Sequence, residues 1–123
     1  MLEKRNLLGG VLANSGEREF IYDAGEIQKF FFANREKYKI LEGLSFDTDE
    51  IFPWNNTIDE SMHDLVLSGI LEISDIKRRI YLDDASKIFY KKFVKPTMNS
   101  FEISELEELS EEFSKKFCAP KTK

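Results

Sequence analysis

The sequence has little of what enzyme sites and disulfide frameworks are built from. It contains one cysteine, one histidine and three prolines in 123 residues. Because Cys118 has no second cysteine to pair with, we expect packing to stabilise the fold and the protein to be cytoplasmic. His63 has no cysteine or second histidine that would complete a metal site, and no nucleophile is paired with a base. The sequence therefore predicts a protein that is not an enzyme, with no catalytic residues, no metal and no cofactor.

Long apolar runs are also missing. No stretch approaches the ~20 apolar residues of a membrane-spanning helix, and the N-terminus lacks the apolar core of a signal peptide, so we expect no membrane contact. What is present is ordinary globular composition, with 41% hydrophobic and 33% charged residues and eleven phenylalanines. Such a composition excludes intrinsic disorder. The length fits one domain, which we expect at residues 1–118, followed by a flexible tail at 119–123.

Charge is unevenly distributed along the chain. The net charge is −5, yet residues 99–114 carry six acidic and no basic residues, whereas residues 77–95 carry seven basic and two acidic ones. A molecule polarised in this way can bind a polyanion with its basic side despite an acidic total.

Hydrophobic periodicity predicts a mostly helical α+β fold. Short β-prone runs around turn residues predict two β-hairpins, at residues 10–22 and 71–82. Apolar residues at helical spacing predict five helices. The first begins at Ala24 and stops at Gly43, and the second is short, at 48–51. The other three span 57–70, 85–95, which Pro96 stops, and 104–117.

Side chains that cap helices mark where several of these helices begin. Asp23 has the position and chemistry of an N-cap for the helix that starts at Ala24. Thr57 with Glu60, and Ser104 with Glu107, have the spacing of capping boxes. The sequence therefore predicts capped starts for the helices at 57–70 and 104–117.

Two pairs of segments in the chain have similar sequences, as in an internal repeat. Residues 18–24 resemble residues 79–85, and residues 45–51 resemble residues 100–106. A true repeat would make the fold an internal pseudo-dimer with the two β-hairpins at its centre, and a monomer would then be plausible; chance similarity of short amphipathic segments is the other interpretation. The copies would be residues 10–52 and 71–117. The sequence does not fix the oligomeric state.

One run of the sequence resembles a known family. Residues 57–72 read TIDESMHDLVLSGILE, a helix that passes directly into a hairpin. With the segment that follows, this pattern resembles the prokaryotic winged helix-turn-helix family over residues 24–95. The resemblance implies a helix-turn-helix at 47–70 and a wing at 71–82. If the repeat is real, the chain is also similar in plan to TraN-like accessory proteins of Gram-positive conjugative plasmids, which are small double winged-helix proteins that bind duplex DNA.

Candidate contact residues follow from that plan. The second helix of a helix-turn-helix places its N-terminal residues nearest the bases, and asparagine can pair with adenine; these residues are Asn55, Asn56, Thr57 and Ser61. Cations that would bind phosphates occur at the wing tip, along the following helix at every fourth residue, and after the first helix. They are Lys77, Arg78 and Arg79; Lys87, Lys91 and Lys95; and Arg35, Lys37 and Lys39. Each set also has a plain structural interpretation, as a turn, a cap or a solvated helix face.

Two functions remain open at this level. The first is a double-stranded DNA-binding protein, either a transcriptional regulator or an accessory factor in plasmid conjugative transfer. Against it, the helix at 57–70 carries Asp59, Glu60 and Asp64 and no Lys or Arg. The second is a winged-helix protein–protein interaction module, antitoxin-like or an assembly adaptor, that binds no nucleic acid. The acidic helix at 104–117 would then dock a protein partner, or it serves only as a solubilising face.

Overall fold

The computed structural model describes residues 2–15, 19–49, 51, 53–69, 71–73, 79–81 and 84–118. Within these residues the α-helices are α1 (Leu7–Ala13), α2 (Ala24–Ala33), α3 (Asn56–Leu67), α4 (Asp84–Phe89) and α5 (Ser100–Phe117). The strands are β1 (Glu19–Ile21), β2 (Glu72–Ile73) and β3 (Arg79–Tyr81). Short 3-10 turns span Lys4–Asn6, Lys39–Leu41 and Lys95–Thr97, and a π-helix spans Tyr90–Val94.

The strands form a small antiparallel sheet in the order β1-β3-β2. In the register, Phe20 lies opposite Ile80 and Glu72 lies opposite Tyr81. The predicted mostly helical α+β class is therefore confirmed, and so is the antiparallel pairing of the hairpin at 71–82. Residues 74–78, which connect β2 to β3 in the sequence, lie outside the described residues, as does the predicted tail at 119–123.

The core is built around α1, which packs against α3 and α5. All seven residues of α1 are buried. Phe20 from β1 and Phe113 from α5 meet edge to face with their ring centroids 5.3 Å apart, a favoured geometry for aromatic pairs. Gly10 lets α1 approach α5 closely, since a Cβ there would lie 2.8 Å from a methyl carbon of Leu106.

The first predicted hairpin, at residues 10–22, is wrong. Residues that were expected to form its first strand belong to α1, and β1 pairs with β3 instead. The reason is burial on every side: a helix with no exposed face has no 3.6-residue apolar period, so its sequence cannot be distinguished from a buried strand. Asn14 ends α1, and its side-chain Nδ2 donates to the carbonyl of Gly10 at 2.8 Å.

Helix α2 is shorter than predicted, since it ends at Ala33 and not at Gly43. The side-chain amide of Asn34 donates to the carbonyl of Phe30 at 2.9 Å and ends the helix. Beyond this point Tyr38 and Leu41 are still buried, which explains why their spacing imitated a longer helix. The Asp23 cap is confirmed, because its side chain accepts from the backbone N–H of Glu26 at 3.1 Å.

The predicted helix-turn-helix at 47–70 lacks its first helix among the described residues. Residues 47–49 and 51 are not helical; Asp47 and Trp54 instead form an isolated antiparallel bridge. The second helix exists as α3, and its end near Gly69 is confirmed, since Gly69 has a φ of 83° just beyond it. A left-handed residue after the last turn commonly ends a helix, and glycine adopts it without a Cβ penalty.

Both predicted capping boxes are wrong, although the helices they were meant to start are present. Helix α3 is capped by Asn55, two residues before Thr57, and α5 begins at Ser100 with a capping box formed by Asn99 and Glu102. Ser104 and Glu107 lie in the acidic run at 99–114, where glutamates follow serines often enough for the spacing to occur by chance. The apolar stripe predicted for α5 is confirmed, with Leu106, Leu109 and Phe113 fully buried.

The helical segment predicted at 85–95 is present but changes geometry. It begins as α4 and widens to a π-helix at Tyr90 before it closes in a 3-10 turn at Lys95. Pro96 has no N–H to donate, and in a regular α-helix its ring would clash with the carbonyl of Lys92. The proline therefore gives a physical reason for the change.

The internal repeat finds a partial counterpart. The strands from the first matched pair of segments, β1 and β3, pair with each other, and each is followed by a helix. The second matched pair has no common structure, because residues 45–49 and 51 are not helical whereas residues 100–106 open α5. The repeat as a whole stays a prediction.

Candidate nucleic-acid interface

Asn55, a predicted base contact, is buried at the start of α3. Its Oδ1 accepts from the backbone N–H of Ile58 at 3.0 Å, and its Nδ2 donates to the carbonyl of Ser45 at 2.8 Å. The side chain of Gln28 on α2 meets the Asn55 backbone twice, donating to its carbonyl at 3.0 Å and accepting from its N–H at 2.8 Å. The pair holds the start of α3 against α2, and the buried side chain of Asn55 is bonded within the fold and not presented to a base.

The other three predicted residues on α3 divide between interior and surface. The buried hydroxyl of Ser61 lies 2.7 Å from the carbonyl of Thr57 and 3.0 Å from the carbonyl of Arg5. Thr57 is half-buried, and Asn56 is exposed with its Oδ1 accepting from the indole N–H of Trp54 at 3.1 Å. Only Asn56 and Thr57 therefore remain open to an external partner.

The basic cluster after α2 is largely engaged inside the molecule. The Arg35 guanidinium lies over the Phe32 ring at 3.7 Å and donates to the carbonyl of Phe32 at 2.6 Å. Lys37 forms an ion pair with Glu112 of α5. Lys39 is exposed, and its backbone N–H donates to Glu105 at 3.2 Å. The predicted patch of Arg35, Lys37 and Lys39 is therefore not a set of free cations.

The acidic helix α5 uses its carboxylates to hold the segment that carries these cations. Glu105 accepts from the N–H groups of Lys39 and Ile40, and Glu112 accepts from the hydroxyl of buried Tyr38 at 2.5 Å. Burial and the bonded Glu112 carboxylate raise the pKa of Tyr38. The hydrogen bonds from Lys37 and Tyr38 lower the pKa of Glu112. Part of the acidic helix is thus structural and not simply a solvated face.

An exposed cationic surface is formed by the end of α4 and by the π-helix and 3-10 turn that follow it. Tyr90 and Val94 are buried at the two ends of the π-helix, and the residues between them, Lys91, Lys92 and Phe93, are all exposed. Ile88 before them and Lys95 after them are exposed as well. We refer to Ile88, Lys91, Lys92, Phe93 and Lys95 as the 88–95 surface.

The lysines of the 88–95 surface are the available cations of this region. None of Lys91, Lys92 and Lys95 forms an ion pair with any residue that the structure describes. Lys87, which was predicted to line up with Lys91 and Lys95, is half-buried and has an interaction partner. Lys91, Lys92 and Lys95 are therefore the exposed lysines of this segment.

The predicted wing tip lies largely outside the described residues. Lys77 and Arg78 lie outside the described residues, and Arg79 is described by its backbone, which pairs with Ile21 in the sheet. Helix α4 begins soon after β3, so the hairpin and the 88–95 surface belong to consecutive elements.

An acidic side chain of α3 lines a cleft next to α4. A cleft of about 250 Å³ is lined by Asp64 and Ser61 of α3, Phe89 of α4 and Arg5. Asp64 is exposed there, and its charge lowers the attraction of α3 for an anion. The sequence-level objection to α3 as a reader of DNA thus has a structural counterpart.

Comparison of this chain with protein-family models, with curated proteins and with solved structures found no match. In the part of the chain that the structure describes, no helix has the length and apolar character needed to cross a membrane.

Proposed function

We propose that this chain binds double-stranded DNA through the 88–95 surface and the adjoining hairpin. The observation that carries the proposal is the cluster of Lys91, Lys92 and Lys95, exposed together and without an ion pair to any described residue. Lysines in such a cluster bind phosphates and release the counterions of the duplex. The basic sequence at 77–79 leads into β3 and ends within it at Arg79, and in this proposal it extends the same surface.

The order of elements supports a winged-helix arrangement as part of this proposal. A helix, a strand, two helices and a two-stranded hairpin follow one another as α1, β1, α2, α3, β2 and β3, with β1 at one edge of the sheet. In this arrangement the hairpin of β2 and β3 is the wing. Because α3 carries acids, and because Ser61 and the capping residue Asn55 are buried, the proposed contact is made by the wing and the 88–95 surface, and phosphates are its main target. A transcriptional regulator and an accessory factor in plasmid conjugative transfer both remain within this proposal.

A titration with fluorescently labelled duplexes of varied sequence tests the proposal. The double variant Lys91→Ala, Lys92→Ala is expected to weaken binding and to make the dependence of log K on log salt shallower by about 1.8, since each phosphate contact contributes about 0.9. The matched control is Lys115→Ala, Lys116→Ala on α5, which removes the same charge elsewhere and is expected to leave the slope unchanged. Absence of binding by the unmodified protein at low salt would refute the proposal.

A protein-interaction module is the second candidate, and exposed apolar side chains favour it. Leu67, at the end of α3, is 84% exposed, and the acids of α3 suit a basic partner. A pull-down from nuclease-treated extract with the unmodified chain and with Leu67→Ser tests this function. A partner that survives nuclease and is lost with Leu67→Ser supports it, whereas a partner lost on nuclease treatment counts against it.

A further inference from the structure

Phe93 is the unusual member of the 88–95 surface. It is 62% exposed, while Phe20, Phe31 and Phe113 are buried. Its neighbour Val94 is the residue that is buried in the interior. The aromatic ring of Phe93 therefore faces outward, at a position where a polar side chain would avoid exposing apolar surface to water. A surface that contacts phosphates alone needs no such ring.

The ring is also held in place. Its centroid lies 5.5 Å from that of Phe89, which is half-buried. The buried Tyr90 and Val94 fix the backbone on both sides of the exposed residues. A side chain held in this way loses little conformational freedom when a partner covers it.

We propose that Phe93 stacks on a base while Lys91 and Lys92 bind the flanking phosphates, so that the protein prefers DNA with an interrupted base stack over a perfect duplex. This inference rests on the proposed function and deepens it. Apolar side chains placed among cations insert at unstacked steps in several modes of DNA binding, and base–aromatic stacking is tolerant of sequence. An unpaired or bulged base offers the ring a face without the cost of unstacking a pair.

An anionic lipid surface is the main competing partner for a cationic and apolar patch. The patch offers only two apolar side chains, Ile88 and Phe93, and three lysines worth about 1 kcal/mol each near an anionic membrane. Stable membrane anchoring usually takes more, such as a long acyl chain with a further signal. With so few apolar side chains, the 88–95 surface favours nucleic acid over a membrane.

The test compares two duplexes of one sequence, of which one carries a single-base bulge flanked by 2-aminopurine. The unmodified protein is expected to bind the bulged duplex about 5-fold or more tightly, as one stacked base allows, with a change in 2-aminopurine fluorescence. Phe93→Ala is expected to remove both effects and to leave the salt dependence unchanged; Phe93→Trp should keep them. Phe101→Ala, which removes a ring 54% exposed on α5, is the matched control.

Each outcome separates the inference from the proposed function. If the unmodified protein binds both duplexes equally, or if Phe93→Ala keeps the preference for the bulge, the inference is refuted and duplex binding stands. If the protein binds neither duplex at low salt, the proposed function fails as well. Phe93-dependent binding to vesicles with anionic lipid, without binding to either duplex, would assign the surface to membranes and overturn both. Circular dichroism checks that the variants are folded.

Discussion

Two buried tyrosines of this protein differ in what their hydroxyl groups meet. The Tyr38 hydroxyl donates to the Glu112 carboxylate at 2.5 Å. The Tyr90 hydroxyl is buried and forms no hydrogen bond of good geometry with any described residue, although the Asn14 side-chain amide lies near it. A hydrogen bond to a charged group contributes to stability, whereas a buried hydroxyl without a partner carries a desolvation cost.

Removing the two hydroxyl groups should therefore change stability differently. We expect Tyr38→Phe to lower the free energy of unfolding by about 1.5–3 kcal/mol, and Tyr90→Phe to leave it unchanged or to raise it. Urea unfolding followed by circular dichroism measures both, and each variant serves as the control for the other. Equal losses in the two variants would contradict this account of the hydroxyl groups.

The ionisable groups around Tyr38 predict how stability changes with pH. The folded-state pKa of Glu112 lies below its ordinary 4.5, so its contribution is present above about pH 4.5 and is lost as the pH falls through the folded-state value. The pKa of Tyr38 lies above its ordinary 10.0, so its contribution is present below that pH and is lost as the pH rises beyond it. The melting temperature should therefore fall at acid pH, where Glu112 is protonated, and at alkaline pH, where Tyr38 ionises.

Glu112→Gln is the variant that isolates the acid side. It removes the carboxylate whose pKa is lowered, so the fall in melting temperature below about pH 4.5 should become shallower. Glu107→Gln, on the exposed side of α5, is the matched control, for which we expect the same fall in melting temperature at acid pH as in the unmodified protein. If Glu112→Gln does not change the fall in melting temperature at acid pH, other carboxylates are responsible for that fall.

Two adjacent glycines of α1 offer another residue-scale prediction. A Cβ on Gly9 would make ordinary contact with Leu65 at 3.7 Å, whereas a Cβ on Gly10 would lie 2.8 Å from Leu106, which is fully buried. We expect Gly9→Ala to stabilise by about 0.5–1 kcal/mol, as alanine does in helix interiors. Gly10→Ala should destabilise by about 1–3 kcal/mol through overpacking. Thermal or urea unfolding checks both, and a stabilising Gly10→Ala would contradict the close approach of α1 to α5.

At the scale of elements, amphipathic helices could be predicted from the sequence and fully buried ones could not. The stripe of Leu106, Leu109 and Phe113 identified α5 because its other face is solvated. Helix α1 has no solvated face, so its residues imitated a strand. The π-helix was also beyond prediction, since a proline signals the end of a helix but not the geometry of the turn before it.

Helix starts were predicted only where the cap acts alone. Asp23 caps α2 through its own side chain and was identified. Asn55 caps α3 with the help of Gln28, which lies 27 positions earlier in the chain and is brought to it by the fold. The local pattern of Thr57 and Glu60 could not indicate that long-range contact, so the cap was predicted at Thr57, two residues after Asn55.

The start of α3 gives the element-scale prediction. Asn55→Ala removes a cap and leaves the Ser45 carbonyl without its bond, so we expect a loss of about 2 kcal/mol or more of stability. Asn56→Ala, one position away and exposed, should cost less than about 0.5 kcal/mol. Urea unfolding measures the difference. Equal effects of the two changes would mean that Asn55 does not hold α3 against α2.

At the scale of the whole molecule, the uneven charge of the sequence has two different outcomes. In the acidic helix α5, Glu105 and Glu112 bind the segment at 37–40, and the ion pair with Glu112 neutralises Lys37 of the predicted basic patch. The basic segment at 77–95 keeps Lys91, Lys92 and Lys95 exposed. Composition predicted the polarity of the chain, but only the fold decides which cations pair internally and which stay available.

The most direct test of the central claim is the salt dependence of duplex binding, measured for the unmodified protein and for Lys91→Ala, Lys92→Ala. We predict binding at low salt that weakens steeply as salt rises, with a slope of log K against log salt that becomes shallower by about 1.8 in the variant. A slope that is the same in both proteins, or no binding at all, would contradict the claim that these lysines face a polyphosphate.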